Sequence, residues 1–189
     1  MNLIEAALLI ARLDNEDVDI PAYLSEVDRM SRELLERAGK LPAVEGAGDP
    51  ANKAAITAAS RQRLDLLRSY LYVEEGFHGS RGEYNHRSNS YLNEVLDDRE
   101  GIPITLAVLF LELGRRLNLP LEGVGFPGRF LVRFNPAEGP SEYLDVFESA
   151  KSLSETDLQG LAVDFAGRAL QPTDTTAFSK SAILVRMLS

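Results

Sequence analysis

The sequence predicts an α+β fold, with helices first and then a small antiparallel sheet against a central buried helix. Three observations carry this. Residues 3–75 hold apolar side chains mostly at helical spacing, residues 103–116 are apolar almost all round, and residues 121–147 hold short strand-like runs broken by turn residues.

In order, Leu3, Ile4, Ala6, Ala7, Leu8, Ile10 and Ala11 mark a first helix that ends before Asp14-Asn15. Asp19 followed by Ile20-Pro21 signals the next start, a side-chain cap just ahead of a first-turn proline, and Gly39 suits the left-handed end. Residues 43–52, with Gly46, Gly48 and Pro50, form a loop. A third helix follows to about Glu75 on the stripe Ile56, Leu64, Leu67, Tyr70, Leu71. Residues 76–88 read as a loop, and Asn89 or Ser90 as the cap of a short helix carrying Tyr91, Leu92, Val95 and Leu96.

The central helix opens at Pro103, where a missing N–H is no loss, and closes on Arg115 and Arg116, whose charges suit its negative end. A helix this apolar must be covered on most sides. Residues 121–126 and 129–134 are strands joined by Pro127-Gly128, and residues 142–147 are a third strand. Ser152 and Glu155 have capping-box spacing for a helix through Phe165, and a last amphipathic segment covers residues 176–188. The expected organisation is a helical subdomain over 1–80, the core over 81–175 and a C-terminal helix over 176–189.

With 189 residues and a formal charge of −9, the chain is expected to be a soluble protein that does not grip nucleic acid. It has no cysteine, which removes disulfides, thiolate metal sites and thiol nucleophiles together. Arg12, Asp14 and Asp17 interrupt the first apolar run, and residues 1–13 lack a secretory pattern, so no membrane span and a cytoplasmic location are expected. His78 and His86 lie eight apart without a metal-binding carboxylate pattern, and no phosphate loop or hydrolase motif is present, so no metal and no cofactor are expected.

Three positions remain for chemistry. Thr105, in the first turn of the central helix, reads as a local hydrogen-bonding residue before it reads as a ligand contact or nucleophile, because no neighbouring base is in sight. Arg129 at a strand start is suited to a carboxylate or phosphate, to pairing with Asp145, or to water, and the residues alone leave these open. Asp145 lies between Tyr143 and Phe147 on one strand face, where it needs a partner unless the strand is a solvated edge.

The runs Asn89-Ser90-Tyr91-Leu92-Asn93, Arg99-x-Gly101-Ile102-Pro103-Ile104-Thr105-Leu106-Ala107, Leu119-Pro120-Leu121-Glu122-Gly123-Val124-Gly125-Phe126-Pro127-Gly128 and Phe130-Leu131-Val132-Arg133, with Glu5–Ala11 ahead of them, resemble the SirB-like branch of the transglutaminase-like superfamily. The resemblance covers nearly the whole chain. It implies a core of one buried helix on an antiparallel sheet, and a tetratricopeptide-like helical region after Leu188 of which only the start is present. Active members use a Cys-His-Asp triad. By motif, the cysteine's place falls at Pro103 or Ile104, the histidine's at Arg129 and the aspartate's at Asp145, so only the aspartate is kept. Arginine carries its charge throughout and has no acceptor lone pair, so it cannot serve as the base.

These readings lean away from an enzyme. The resemblance implies a non-catalytic module that binds a protein or peptide in the old cleft, with Asn89, Asn93, Arg99, Thr105 and Arg129 as candidate contacts. The alternative is a hydrolase or acyl-transfer enzyme with an unrecognised nucleophile, Thr105 being the candidate. A scaffold whose function lies in further C-terminal helices is a third reading.

Overall fold

The computed structural model describes residues 1–82 and 86–189. Helix α1 (Leu3–Asp14) is capped by Asn2, whose side chain accepts the Glu5 N–H at 2.7 Å. Helix α2 (Ile20–Ala38) starts at the Asp19–Pro21 signal, with Asp19 Oδ1 accepting the Ala22 N–H at 3.0 Å. Gly39 closes it in the right-handed region, at φ −66°, so the expected left-handed role is not used there. Helix α3 (Lys53–Arg68) continues into a wide turn over Ser69–Glu74, which buries Tyr70 and Leu71.

A charged cluster ties these parts together. Arg29 of α2 meets Glu26 at 2.7 Å and Glu33 at 2.8 Å, while Arg99 reaches Glu26 at 3.2 Å and Glu75 at 2.9 Å. Hydrogen bonds from Arg29, with help from Arg99, hold the Glu26 carboxyl down at about 2, against an ordinary 4.5. Between those values the unfolded chain binds the extra proton, so this contribution is complete above about 4.5 and lost as pH falls toward about 2. Glu26→Gln should therefore flatten the acid limb of the stability profile, read as urea midpoints from neutral pH downward. An unchanged limb would mean that other carboxylates dominate acid unfolding.

The stretch expected to be loop, residues 76–88, contains strand β1 (His78–Gly79), which pairs in parallel with β2 (Glu100–Gly101). Part of that loop, residues 83–85, lies outside the described residues. Two-residue strands leave no periodicity to read. Helix α4 (Leu92–Asp98) lies between, and Tyr91 is its N-cap rather than Asn89 or Ser90, which belong to a 3-10 turn over Arg87–Ser90. Arg99 ends α4 at φ 60°, in the left-handed region.

Helix α5 (Pro103–Arg116) is the buried centre. Its one interior acid, Glu112, is disfavoured by burial, but Arg115 at 2.8 Å and Arg116 at 3.0 Å outweigh that and hold its carboxyl below the ordinary value. Strands β3 (Leu121–Phe126) and β4 (Arg129–Phe134) form the expected hairpin, paired from Leu121–Phe134 to Phe126–Arg129. Gly128 turns it at φ 67°, and a Cβ there would come within 2.3 Å of the Phe165 ring.

The third strand, β5 (Glu142–Asp145), is shorter than expected, because the Asp145 side chain takes the Phe147 N–H and starts a 3-10 turn over Val146–Glu148. Phe147 therefore leaves the face it was expected to share with Asp145 and joins the main core. Ser152 lies in strand β6 (Lys151–Leu153), not at a helix start; the capping box of α6 (Glu155–Ala166) is Ser154 with Asp157, two residues later. Strand β7 (Ala177–Phe178) and helix α7 (Lys180–Met187) share the segment expected to be one amphipathic stretch.

The five-stranded antiparallel sheet has the order β6-β5-β4-β3-β7. Phe130, Val132, Phe134 and Leu144 face α5. Val124, Phe126 and Leu131 face the other way and meet Leu158 and Ala162 of α6. The main core runs from Leu3 through Leu34 and Leu67 to Phe110 and Ile183, so it crosses both expected boundaries, near 80 and near 175. No helix among the described residues is long and apolar enough to cross a membrane.

Candidate functional site

The Pro127-Gly128 turn starts β4 with Arg129 on the sheet face toward α6. Antiparallel pairing of Val132 with Leu144 carries Asp145, at the end of β5, to a position diagonal to Arg129. The side chains meet there, Arg129 Nη1 donating to Asp145 Oδ2 at 2.8 Å. Asp145 Oδ1 accepts the Phe147 N–H at 3.1 Å, so one carboxylate both pairs with the guanidinium and caps the following turn. Its side chain is 5% exposed and that of Arg129 18%. Burial pushes the Asp145 carboxyl above its ordinary value, against the pull of Arg129 and of the Phe147 N–H. The guanidinium carbon also lies 5.2 Å from the Phe147 ring centre and 5.8 Å from that of Phe165, both within cation–π range.

The start of α5 adjoins the same arginine. A cavity of about 330 Å³ is lined by Ile102, Pro103, Ile104, Gly128, Arg129 and Phe130, with Ser90, Arg186 and Ser189 at its edge. The three positions assigned to the triad by motif are thus brought together: Pro103 and Arg129 on one cavity, Asp145 bonded to Arg129. The cavity lining carries two guanidiniums and no acidic side chain. A second hollow, of about 370 Å³, lies beside Arg129 and Asp145 against α6.

The other candidate contacts lie elsewhere. Thr105 is fully buried and donates to the Asn89 carbonyl at 2.8 Å and the Ile102 carbonyl at 3.1 Å, tying the 3-10 turn to the start of α5. Asn89 is buried too, its amide donating to Ser80 Oγ at 3.0 Å. Asn93 and Arg99 line a separate cleft against α2. Of the five, Arg129 alone is among the described residues lining the 330 Å³ cavity. Sequence reasoning missed Ser90 and Arg186 as neighbours of that cavity. Ser90 stood inside one of the motif runs, but the approach of Arg186 depends on how α7 packs and has no local signal. His78 and His86 are exposed, and no group of three His, Cys, Asp or Glu among the described residues could hold a metal ion.

Residues 21–189 match the family model of the transglutaminase-like superfamily. The chain belongs to that superfamily. Its relatives place it in the SirB-like branch. A UPF0162 protein of Xylella fastidiosa is 34% identical over 157 residues, covering 83% of this chain and 50% of that protein. A UPF0162 protein of Vibrio cholerae is 28% identical over 191 residues, covering 100% of this chain and 64% of that protein. Protein SirB1 of Salmonella typhimurium is 33% identical over 98 residues, 52% of this chain and 36% of that protein. The chain thus spans about half to two thirds of the length of the UPF0162 relatives. No solved structure matches.

Proposed function

We propose that this transglutaminase-like domain is a non-catalytic, cytoplasmic regulatory module that holds a protein or peptide segment in the cavity between the start of α5 and Arg129. The observation that carries this reading is the Arg129–Asp145 pair beside Pro103. The nucleophile's place holds a proline ring, and the base's place holds a cation already engaged by the remaining carboxylate. Those two positions supply no group to attack a carbonyl and none to accept the proton, and the Ser90 hydroxyl on the lining has no base beside it among the described lining residues. The site still has walls. Asp145 engages Nη1 of Arg129, and the rest of the guanidinium fork, with Arg186 and the apolar side chains of Ile102, Ile104 and Phe130, suits a carboxylate beside an apolar side chain. The hydroxyl of Thr105 is spent on backbone carbonyls, so the alternative of a replacement nucleophile gains nothing from it.

The test is capture of binding partners by this chain and by two rim variants, Ser90→Trp, which fills the cavity, and Arg186→Glu, which reverses an exposed charge. Glu45→Gln, at an exposed residue outside the cavity lining, serves as the control; a partner held by the parent and by this control, but lost by both rim variants, supports the reading. A partner held equally by all four places the interface elsewhere. Incorporation of a fluorescent primary amine into a glutamine-containing protein by the purified chain would overturn the non-catalytic assignment.

A further inference from the structure

Strand β7 pairs with β3 at two positions, Gly123–Phe178 and Val124–Ala177. Ser179 then turns the chain into α7, its Oγ accepting the Ala182 N–H at 3.1 Å, so Leu121 and Glu122 of β3 have no β7 residue beside them. A hollow of about 210 Å³ is left there, against the C-terminal half of α5, and it shares no lining residue with the Arg129 cavity. Its apolar walls are Leu111 of α5, Leu119 and Leu121 at the start of β3, Phe178 of β7, Ile183 of α7 and Leu3 of α1.

The charged side chains on the lining divide into two kinds. Both carboxylates are engaged, Glu112 with Arg115 at 2.8 Å and Arg116 at 3.0 Å, and Glu122 with Arg133 at 2.5 Å and Asn135 at 2.7 Å. The cations are not exhausted. Lys180 is exposed and has no ion-pair or hydrogen-bond partner among the described residues. Arg115, also exposed, gives Nε and Nη2 to Glu112 and keeps Nη1 for another acceptor.

A lysine on a surface is ordinarily just solvated, and the walls beside it distinguish this one. Apolar cavities of about 150 Å³ lined by Leu, Ile and Phe take a hydrocarbon in preference to water, because a water held there lacks its polar partners. We propose that this hollow binds a free alkyl carboxylate of short to medium chain, its tail between α5 and β3 and its carboxylate at the Lys180 ammonium, with the Arg115 guanidinium alongside. Such a ligand brings acceptors only, which matches the uncommitted groups. A peptide terminus would add N–H donors, and the carboxylates on the lining are already engaged.

The experiment is calorimetric titration of the full chain with straight-chain carboxylates from butanoate to decanoate. Two controls, 1-octanol and octyltrimethylammonium, carry the octyl tail with no charge and with the opposite charge. Affinity is expected to rise about fourfold per methylene, the gain for each CH₂ removed from water, and to level off once the hollow is full. Octanoate should bind more tightly than either control. Lys180→Glu should weaken octanoate about fivefold or more, an exposed ion pair being replaced by a repulsion. Lys53→Glu, the same change at the first residue of another helix and outside the lining, should leave it unaltered. Leu111→Trp, which fills the hollow, should abolish binding; if it does not fold, the two lysine variants decide. The proposal is overturned by no binding of octanoate, by no rise with chain length, or by either control binding as tightly. Equal weakening by both lysine variants, or undiminished binding to a folded Leu111→Trp, overturns it too.

Discussion

Phe110→Ala is expected to lower the free energy of unfolding by about 3–5 kcal/mol, the range for removing a large aromatic side chain from a packed core. Phe110 is fully buried at the middle of α5, and its ring stacks on Tyr72 at 6.3 Å between centres. Tyr72 in turn donates its hydroxyl to the Val146 carbonyl at 3.0 Å, in the turn that follows Asp145. The cavity left by the alanine would thus open between the central helix and the segment that holds the carboxylate of the candidate site. Phe110→Leu, which keeps most of the volume, should recover a large part of the loss. The check is chemical denaturation of all three chains, with the slope compared as well as the midpoint. A loss below about 1.5 kcal/mol would mean that neighbours collapse into the space, and that α5 is less tightly covered than its burial indicates.

What the sequence made legible follows from how local each signal is. The start of α2 is set by Asp19 and Pro21 alone, and the β3–β4 hairpin by two alternating runs around Pro127-Gly128, so both were readable. The capping box was not, because Ser152/Glu155 and Ser154/Asp157 have the same spacing; pairing of Lys151–Leu153 with β5 decides between them. The end of β5 was hidden for a similar reason. Alternation continues through Phe147, but the Asp145 side chain takes the next free N–H and turns the chain. The candidate site follows the same rule. Arg129 and Asp145 were readable as strand residues that could pair, with a solvated position left open for each, whereas the two aromatic rings around the guanidinium come from a turn and a helix that only the fold brings near. The separate cleft that Asn93 and Arg99 line depends wholly on α2 lying beside α4, more than seventy positions apart at Tyr23 and Asp97, which no periodicity reports.

Asp145→Ala should cost about 3 kcal/mol or somewhat more, near the low end for breaking one side of a buried ion pair, because Arg129 retains some contact with water. The loss has two parts, the guanidinium left without its carboxylate and the Phe147 N–H left without its acceptor. Asp145→Asn keeps an oxygen for that N–H and should recover about 1 kcal/mol, the usual worth of a cap. Arg129→Met offers the sharper contrast. It leaves Asp145 buried without its cation, and burial already pushes that carboxyl above its ordinary 3.8. Between 3.8 and the raised folded value the native state would bind more protons than the unfolded chain, so the stability of Arg129→Met should fall as pH rises through that window. Asp145→Ala has no carboxyl there and should lack this component. Combining the two changes should cost less than their sum, since the second removes a group already stranded by the first. Urea midpoints for the parent and these four variants across acid and neutral pH test all of this. Strict additivity, with no acid-side advantage for Arg129→Met, would show that the pair is effectively solvated. Arg129 would then stand in the cavity beside Pro103 on its own packing alone, held by the rings of Phe147 and Phe165.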